Sequence, residues 1–168
     1  MNRTLDGGAH WERWDNGWPA EQWTFSIAFD PRDPDVMVAC SKNGENEGTG
    51  GEGFHGTVMK TTDGGAHWFS ITAGLDVGQE FYKVIVGSFD PDVLYLATQF
   101  DGVYVSVDGG ARWKPWNSGL FNPQAGTNGN NVTNTMVLTA DGRWLYFGSA
   151  GSGVFKRETI GAGQSEGG

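Results

Sequence analysis

The octet Ser106-Val107-Asp108-Gly109-Gly110-Ala111-Arg112-Trp113 occurs twice more, as Thr4-Leu5-Asp6-Gly7-Gly8-Ala9-His10-Trp11 and as Thr61-Thr62-Asp63-Gly64-Gly65-Ala66-His67-Trp68. A hydroxyl, an Asp, a Gly-Gly-Ala run and a Trp at fixed offsets mark an internal repeat, and a repeat governs how the rest of a chain is read. Asp63 and Asp108 lie 45 residues apart, Asp6 and Asp63 57. Trp11 to Asp33 and Trp68 to Asp90 are both 22 residues, so the excess of 12 falls in one loop, Lys42 to Gly56.

Working outward from the third octet, residues 81–86 form a β-rich run that ends in the turn cluster 87–92. Residues 93–98 read as a second strand. Val103, Val105 and Val107 alternate with Tyr104 and Ser106, the period of a half-buried third strand. After the Asp-Gly-Gly turn, Trp113-Lys114-Pro115-Trp116 reads as a fourth strand, which Pro115 confines to a sheet edge. The preceding unit matches, with strands expected at 24–30, 36–40, 57–62 and 68–71. Residues 135–138, 144–147 and 153–157 supply three more strands, and Thr159 stands where the octet's Asp would be.

Four short antiparallel strands per repeat make one blade of a β-propeller. The fold class expected is therefore all-β, a partial propeller of about three blades with Asp-turns. The blades occupy 1–160. Residues 1–23 form the end of one blade and a connection, 24–80 a blade, 81–133 a blade and connection, and 134–160 an incomplete blade. Residues 161–168 read as a flexible Gly-rich tail. Because propellers usually close with about 4–8 blades, the partners expected are further blades completing the ring, or a homo-oligomer in which two chains complete each other.

Composition agrees. The 168 residues suffice to bury about 70% of the unfolded surface. Gly 28 and Trp 8 with only 18% charged residues fit tight turns and short strands. A net charge of −9 repels phosphate backbones, so no nucleic acid partner is expected. The single Cys40 forms no internal disulfide or Cys-based metal cluster. No apolar run is long enough to span a membrane, and no apolar h-region follows Met1, so no signal peptide is visible.

The octet resembles the Asp-box, or BNR repeat, of pattern Ser/Thr-x-Asp-x-Gly-x-x-Trp. All three copies match it, through Asp6 and Trp11, Asp63 and Trp68, and Asp108 and Trp113. The Asp-Pro turns before an apolar strand make the chain most similar to the subgroup holding sortilin-type receptors, the photosystem II assembly factor family and xyloglucan-active glycoside hydrolases. The resemblance implies a propeller with its boxes on the turns between third and fourth strands. It also implies an extracellular or periplasmic location. It fixes no single activity, because receptors, enzymes and assembly factors share the fold.

The box residues read as structural: Asp accepts hydrogen bonds from its own turn, one of the two glycines takes a left-handed conformation, and Trp packs between sheets. Function is expected on the opposite face, which collects residues 15–23, 42–56, 74–80, 99–101 and 117–134. The aromatics Trp18, Trp23, Phe81, Phe100 and Phe121 flank those loops and suit stacking on sugars. Glu80, Asp101 and Asp76 are the carboxylates available for glycoside chemistry, though no catalytic residue is assigned. Glu45, Glu47, Glu52 and His55 offer oxygen ligands for Ca²⁺, but without Asp-x-Asp-x-Asp spacing they read as a solvated loop, and no metal or other cofactor is expected. Arg13, Arg32, Arg112, Arg143 and Arg157 lie in or beside strands and box turns, and assemble no sialidase-like arginine triad. Asn2-Arg3-Thr4 and Asn131-Val132-Thr133 match the N-glycosylation triplet.

The function expected is thus a non-catalytic binding or scaffolding module that presents a loop face to a protein or glycan. One alternative is part of a secreted glycoside hydrolase, xyloglucan- or β-glucan-active, whose cleft needs further blades. Another is a self-assembling structural repeat.

Overall fold

The structure, a computed structural model, describes residues 2–19, 22–43, 56–119, 133–149 and 153–162. It is all-β among these residues. A two-stranded hairpin, β1 (Asn2–Arg3) and β2 (Glu12–Arg13), leads into a four-stranded antiparallel sheet of β3 (Gln22–Phe29), β4 (Met37–Asn43), β5 (Gly56–Thr61) and β6 (Phe69–Ser70). A second such sheet follows, of β7 (Phe81–Val86), β8 (Leu94–Thr98), β9 (Val103–Ser106) and β10 (Lys114–Pro115). The three-stranded sheet of β11 (Thr133–Leu138), β12 (Trp144–Ser149) and β13 (Gly153–Glu158) completes the order. In each sheet the strands pair in chain order, the up-and-down topology of propeller blades.

Strand boundaries depart from the sequence reading mainly at fourth strands and loop ends. Only Phe69–Ser70 and Lys114–Pro115 pair as fourth strands. β4 runs on through Ser41–Asn43, into what reads as loop from the sequence, because Lys42 pairs with Gly56 and Trp23.

Core formation follows from the period of two. In β8, Leu94 and Leu96 face the preceding sheet, where they meet Val38, Cys40, Val58 and Ile71. Tyr95 and Ala97 face the following sheet and meet Met136, Leu145 and Phe147. A strand covered on both faces must be apolar at every position, and Leu94–Ala97 are all at 1% exposure or less. Each such side chain contributes about 1.5–3 kcal/mol.

The octets build the same turn three times. Thr61 donates its hydroxyl proton to Asp63 Oδ1 at 2.8 Å and accepts from the Gly65 N–H at 3.0 Å, while Asp63 Oδ1 accepts from the His67 N–H at 2.9 Å. Ser106–Asp108–Arg112 repeats this at 2.8, 2.9 and 2.9 Å, and Thr4–Asp6–His10 at 2.8, 2.8 and 2.9 Å. Both glycines of each turn, and not one, have positive φ, for example 69° at Gly64 and 93° at Gly65. The bonds from the His67 backbone and ring and from Thr61 hold the Asp63 carboxyl at about 2, against an ordinary 3.8.

The second and third turns also lock onto the unit before them. The Trp68 N–H donates to Asn16 O at 2.8 Å and the Trp113 N–H to Ala73 O at 3.1 Å. Gly65 lies against Trp14 and Gly110 against Ile71, in both cases the residue eight positions after the preceding Asp. Trp68 and Trp113 are 4% exposed, but Trp11 is 64% exposed. The expectation that the octet's Trp packs between sheets therefore fails for Trp11, because among the described residues no sheet stands on its outer side.

Candidate functional site

At the end of the blades opposite the octet turns, the connection before β7, the β8–β9 turn and the ends of β3 and β4 converge. The backbone joins them first: the Gly56 N–H donates to Val77 O and the Gln99 N–H to Glu80 O, each at 2.9 Å. Gln79, 2% exposed, is the pin between two of these loops. Its Nε2 donates to Asp101 Oδ2 at 2.6 Å and to Asp76 O at 3.2 Å, and its Oε1 accepts from the Phe100 N–H at 3.0 Å. Asn117 braces the same turn from the next connection, donating to Asp101 O at 2.6 Å and accepting from the Val103 N–H at 2.9 Å.

Asp101 Oδ2 also accepts from the Tyr104 hydroxyl at 3.2 Å. Burial and the neighbouring Asp101 push that phenol up to about 12, so Tyr104 remains a donor at any physiological pH. Glu80, 5% exposed, pairs with Lys42 at 2.8 Å. Tyr82 bonds to Glu80 as well, and burial together with that carboxylate raises its phenol well above the usual range. The Lys42 ammonium lies 5.0 Å from the Trp23 ring centre and 5.6 Å from that of Phe25.

The first strands of all three sheets change register at the matching place, between Thr24 and Ser26, Phe81 and Lys83, and Thr133 and Thr135. A β-bulge re-aims the side chain it carries. Here it brings Phe25 and Tyr82 together, with ring centres 5.5 Å apart. Trp23, Phe100 and Phe25 remain 59%, 46% and 44% exposed.

The structure thus gathers Trp23, Phe100, Glu80 and Asp101 at one end of the blades. Asp76, exposed at the rim, accepts from the Gly78 N–H at 2.9 Å. Two of the expected face aromatics need correction. Phe81 is fully buried, because Gly56, lacking a Cβ, lets its ring pass under β5. Trp18 is half-buried and packs edge-on against Trp68 at 5.1 Å, beside the Met37, Ala39 and Met59 cluster. Phe121, the residues Glu45, Glu47, Glu52 and His55, and Asn131 and Val132 of the second triplet lie outside the described residues. Phe25, Lys42, Gln79, Tyr82, Tyr104 and Asn117 were missed by sequence reasoning. Aligning the equivalent positions Phe25 and Tyr82 between repeats is the signal that finds two of them.

Chemically, each candidate carboxylate already has work. Glu80 neutralises Lys42, Asp101 holds Gln79 and Tyr104, and Asp76 caps its own turn. Among the described residues no group of three or more His, Cys, Asp or Glu is placed to hold a metal ion, and no helix is long and apolar enough to cross a membrane.

No protein-family profile matches the chain, and no curated protein matches it. Solved structures do. The GH74 xyloglucanase from Xanthomonas campestris superposes with a TM-score of 0.63 at 20% identity, over 89% of this chain and 24% of the xyloglucanase. An ancestral GH74 enzyme gives 0.63 at 21% identity, over 82% of this chain and 19% of that one. YCF48 from Cyanidioschyzon merolae gives 0.56 at 20% identity, over 83% and 38% of the two chains. YCF48 has also been captured bound to a D1 peptide, and that structure gives 0.57 at 16% identity, over 86% and 40%. At such identities the likeness is one of fold, the β-propeller. The chain spans about a quarter or less of the GH74 enzymes and about two-fifths of YCF48.

Proposed function

We propose that the chain is a non-catalytic binding or scaffolding module of the Asp-box propeller type, which presents the Trp23–Phe25–Phe100 face to a protein or glycan. One observation carries this reading: the carboxylates at that face are consumed in holding it together, while three aromatic rings beside them stay open to solvent. General acid–base work requires a carboxyl group free to exchange a proton with the substrate. Glu80, ion-paired and bonded to Tyr82, and Asp101, accepting two hydrogen bonds on one oxygen, are committed to structure. Rigid exposed aromatics on a braced loop face offer contact area at small entropic cost. That a peptide-bound YCF48 shares the fold supports a protein ligand.

The GH74 likeness favours a second reading, part of a secreted glycoside hydrolase active on xyloglucan or β-glucan whose cleft other blades complete. Assay of the chain on a xyloglucan and β-glucan panel separates the two. The expected outcome is no turnover above the blank. Hydrolysis that disappears on Asp101→Asn or Glu80→Gln would establish the enzyme instead. The exposed Trp11 and the unpaired outer edge of β13 among the described residues favour a third reading, a self-assembling repeat. Filaments seen by negative-stain microscopy would mark it.

A further inference from the structure

A second surface carries a different ligand signature, independent of the loop face. β3, β7 and β11, the first strands of their sheets, lie side by side and leave a cleft of about 290 Å³. Ile27, Phe29, Ile85, Met136 and Val137 line it, and Ile27, Phe29 and Val137 keep 42%, 54% and 61% of their surface exposed. Lys83 is the one charged residue in its lining. The other half-buried cations of the described residues are engaged: Arg3 with Glu12, Lys42 with Glu80, Lys60 with Gly109 O and Arg157 with Trp116 O. Half-buried Lys83 has neither an ion pair nor a hydrogen bond among the described residues. It follows directly on the register change in β7, where the strand is re-aimed.

A half-buried lysine with no counter-charge among the described residues is unfavourable, and so is an exposed apolar wall. A ligand with one negative charge and an apolar body relieves both. A polyanion is excluded by the chain's net charge of −9, which one lysine does not offset.

We propose that this cleft binds a small amphipathic carboxylate, its head on Lys83 and its apolar body on Ile27, Phe29 and Val137. The contact at Lys83 is a charge-assisted hydrogen bond at the cleft wall, and the apolar chain lies across the three first strands.

Calorimetric titration of the whole chain with decanoate tests this, with decanol as the neutral analogue. Decanoate should bind at one saturable site. Lys83→Met should weaken it by about tenfold, the size of one charge-assisted bond, whereas Lys83→Arg should stay within about threefold. Decanol should bind wild type and Lys83→Met alike. Should Lys83→Met fail to fold by circular dichroism, Lys83→Gln makes the same comparison. No saturable decanoate binding, or equal affinity in the neutral variant, overturns the proposal. So does an acidic, apolar peptide that binds where decanoate does not, which would assign the cleft to a macromolecular partner.

Discussion

The octets ending in Trp11 and Trp113 share the hydroxyl–Asp bond, the two backbone bonds that close the turn and the same glycine conformations, yet one Trp is 64% exposed and the other 4%. Everything within the turn is local, from the hydroxyl–Asp bond to the pair of left-handed glycines. Burial of the Trp is tertiary. Trp113 donates its indole N–H to Ile71 O at 2.6 Å and packs among Val38, Val58 and Leu96, contacts that belong to two sheets. A short motif therefore determines its own shape without determining its energetic weight, which depends on the surface it meets.

That contrast is most easily broken by truncating the two indoles. Trp113→Ala should destabilise by about 3–5 kcal/mol, the range for emptying a packed aromatic site. Trp11→Ala should change stability by less than about 0.5 kcal/mol, as exposed substitutions do. Urea denaturation of both variants decides it, and equal losses would mean that Trp11 is covered in solution.

The glycines offer a smaller and sharper comparison. At Gly110 (φ 95°) a Cβ would collide with the Ile71 side chain, whereas at Gly8 (φ 99°) it would meet nothing within 4 Å. Gly8→Ala should cost about 1 kcal/mol, from backbone strain alone. Gly110→Ala adds overpacking and should cost about 2–3 kcal/mol. Thermal unfolding gives the difference, and parity would show that Ile71 yields freely.

The smallest effect is on pH dependence. The Asp6 and Asp63 carboxyls sit at about 2 in the fold against an ordinary 3.8. A lowered folded value means stability that is fully present above about 4 and lost as pH falls through 3.8 towards 2. Both groups are exposed, so the slope should be shallow and should flatten further in 0.5 M salt. Asp63→Asn should remove its share of the slope between pH 5 and 2 in denaturation midpoints. An unchanged slope would mean that other carboxylates govern acid unfolding.

Much of this architecture was legible in residue spacing. The octet offsets locate the turns, and alternation at Val103–Val105 with the apolar run Leu94–Ala97 locates strands and seams. The loop face was legible in position but not in chemistry. Glu80 meets Lys42 from 38 residues away and Gln79 reaches Asp101 across 22, and no local pattern encodes such pairings. Phe81 misled for a related reason: its burial depends on Gly56, on another sheet. Nor did propensity reveal the register changes that re-aim Phe25 and Tyr82, since a bulge is a property of two paired strands.

The fixed offset between each Asp and the residue that braces the next turn, Trp14 under Gly65 and Ile71 under Gly110, bears on how such a chain originates. A gene segment duplicated at this period carries both halves of the joint: the turn that docks and the residue on which its successor docks. A new copy is thus born with a compatible neighbour on each side. The seams tolerate an Ile or a Trp at the bracing position, so later drift adjusts the fit without redesigning it. Lengthening by whole units is the change to which this molecule offers least resistance, and loss of half a unit is the one it tolerates worst.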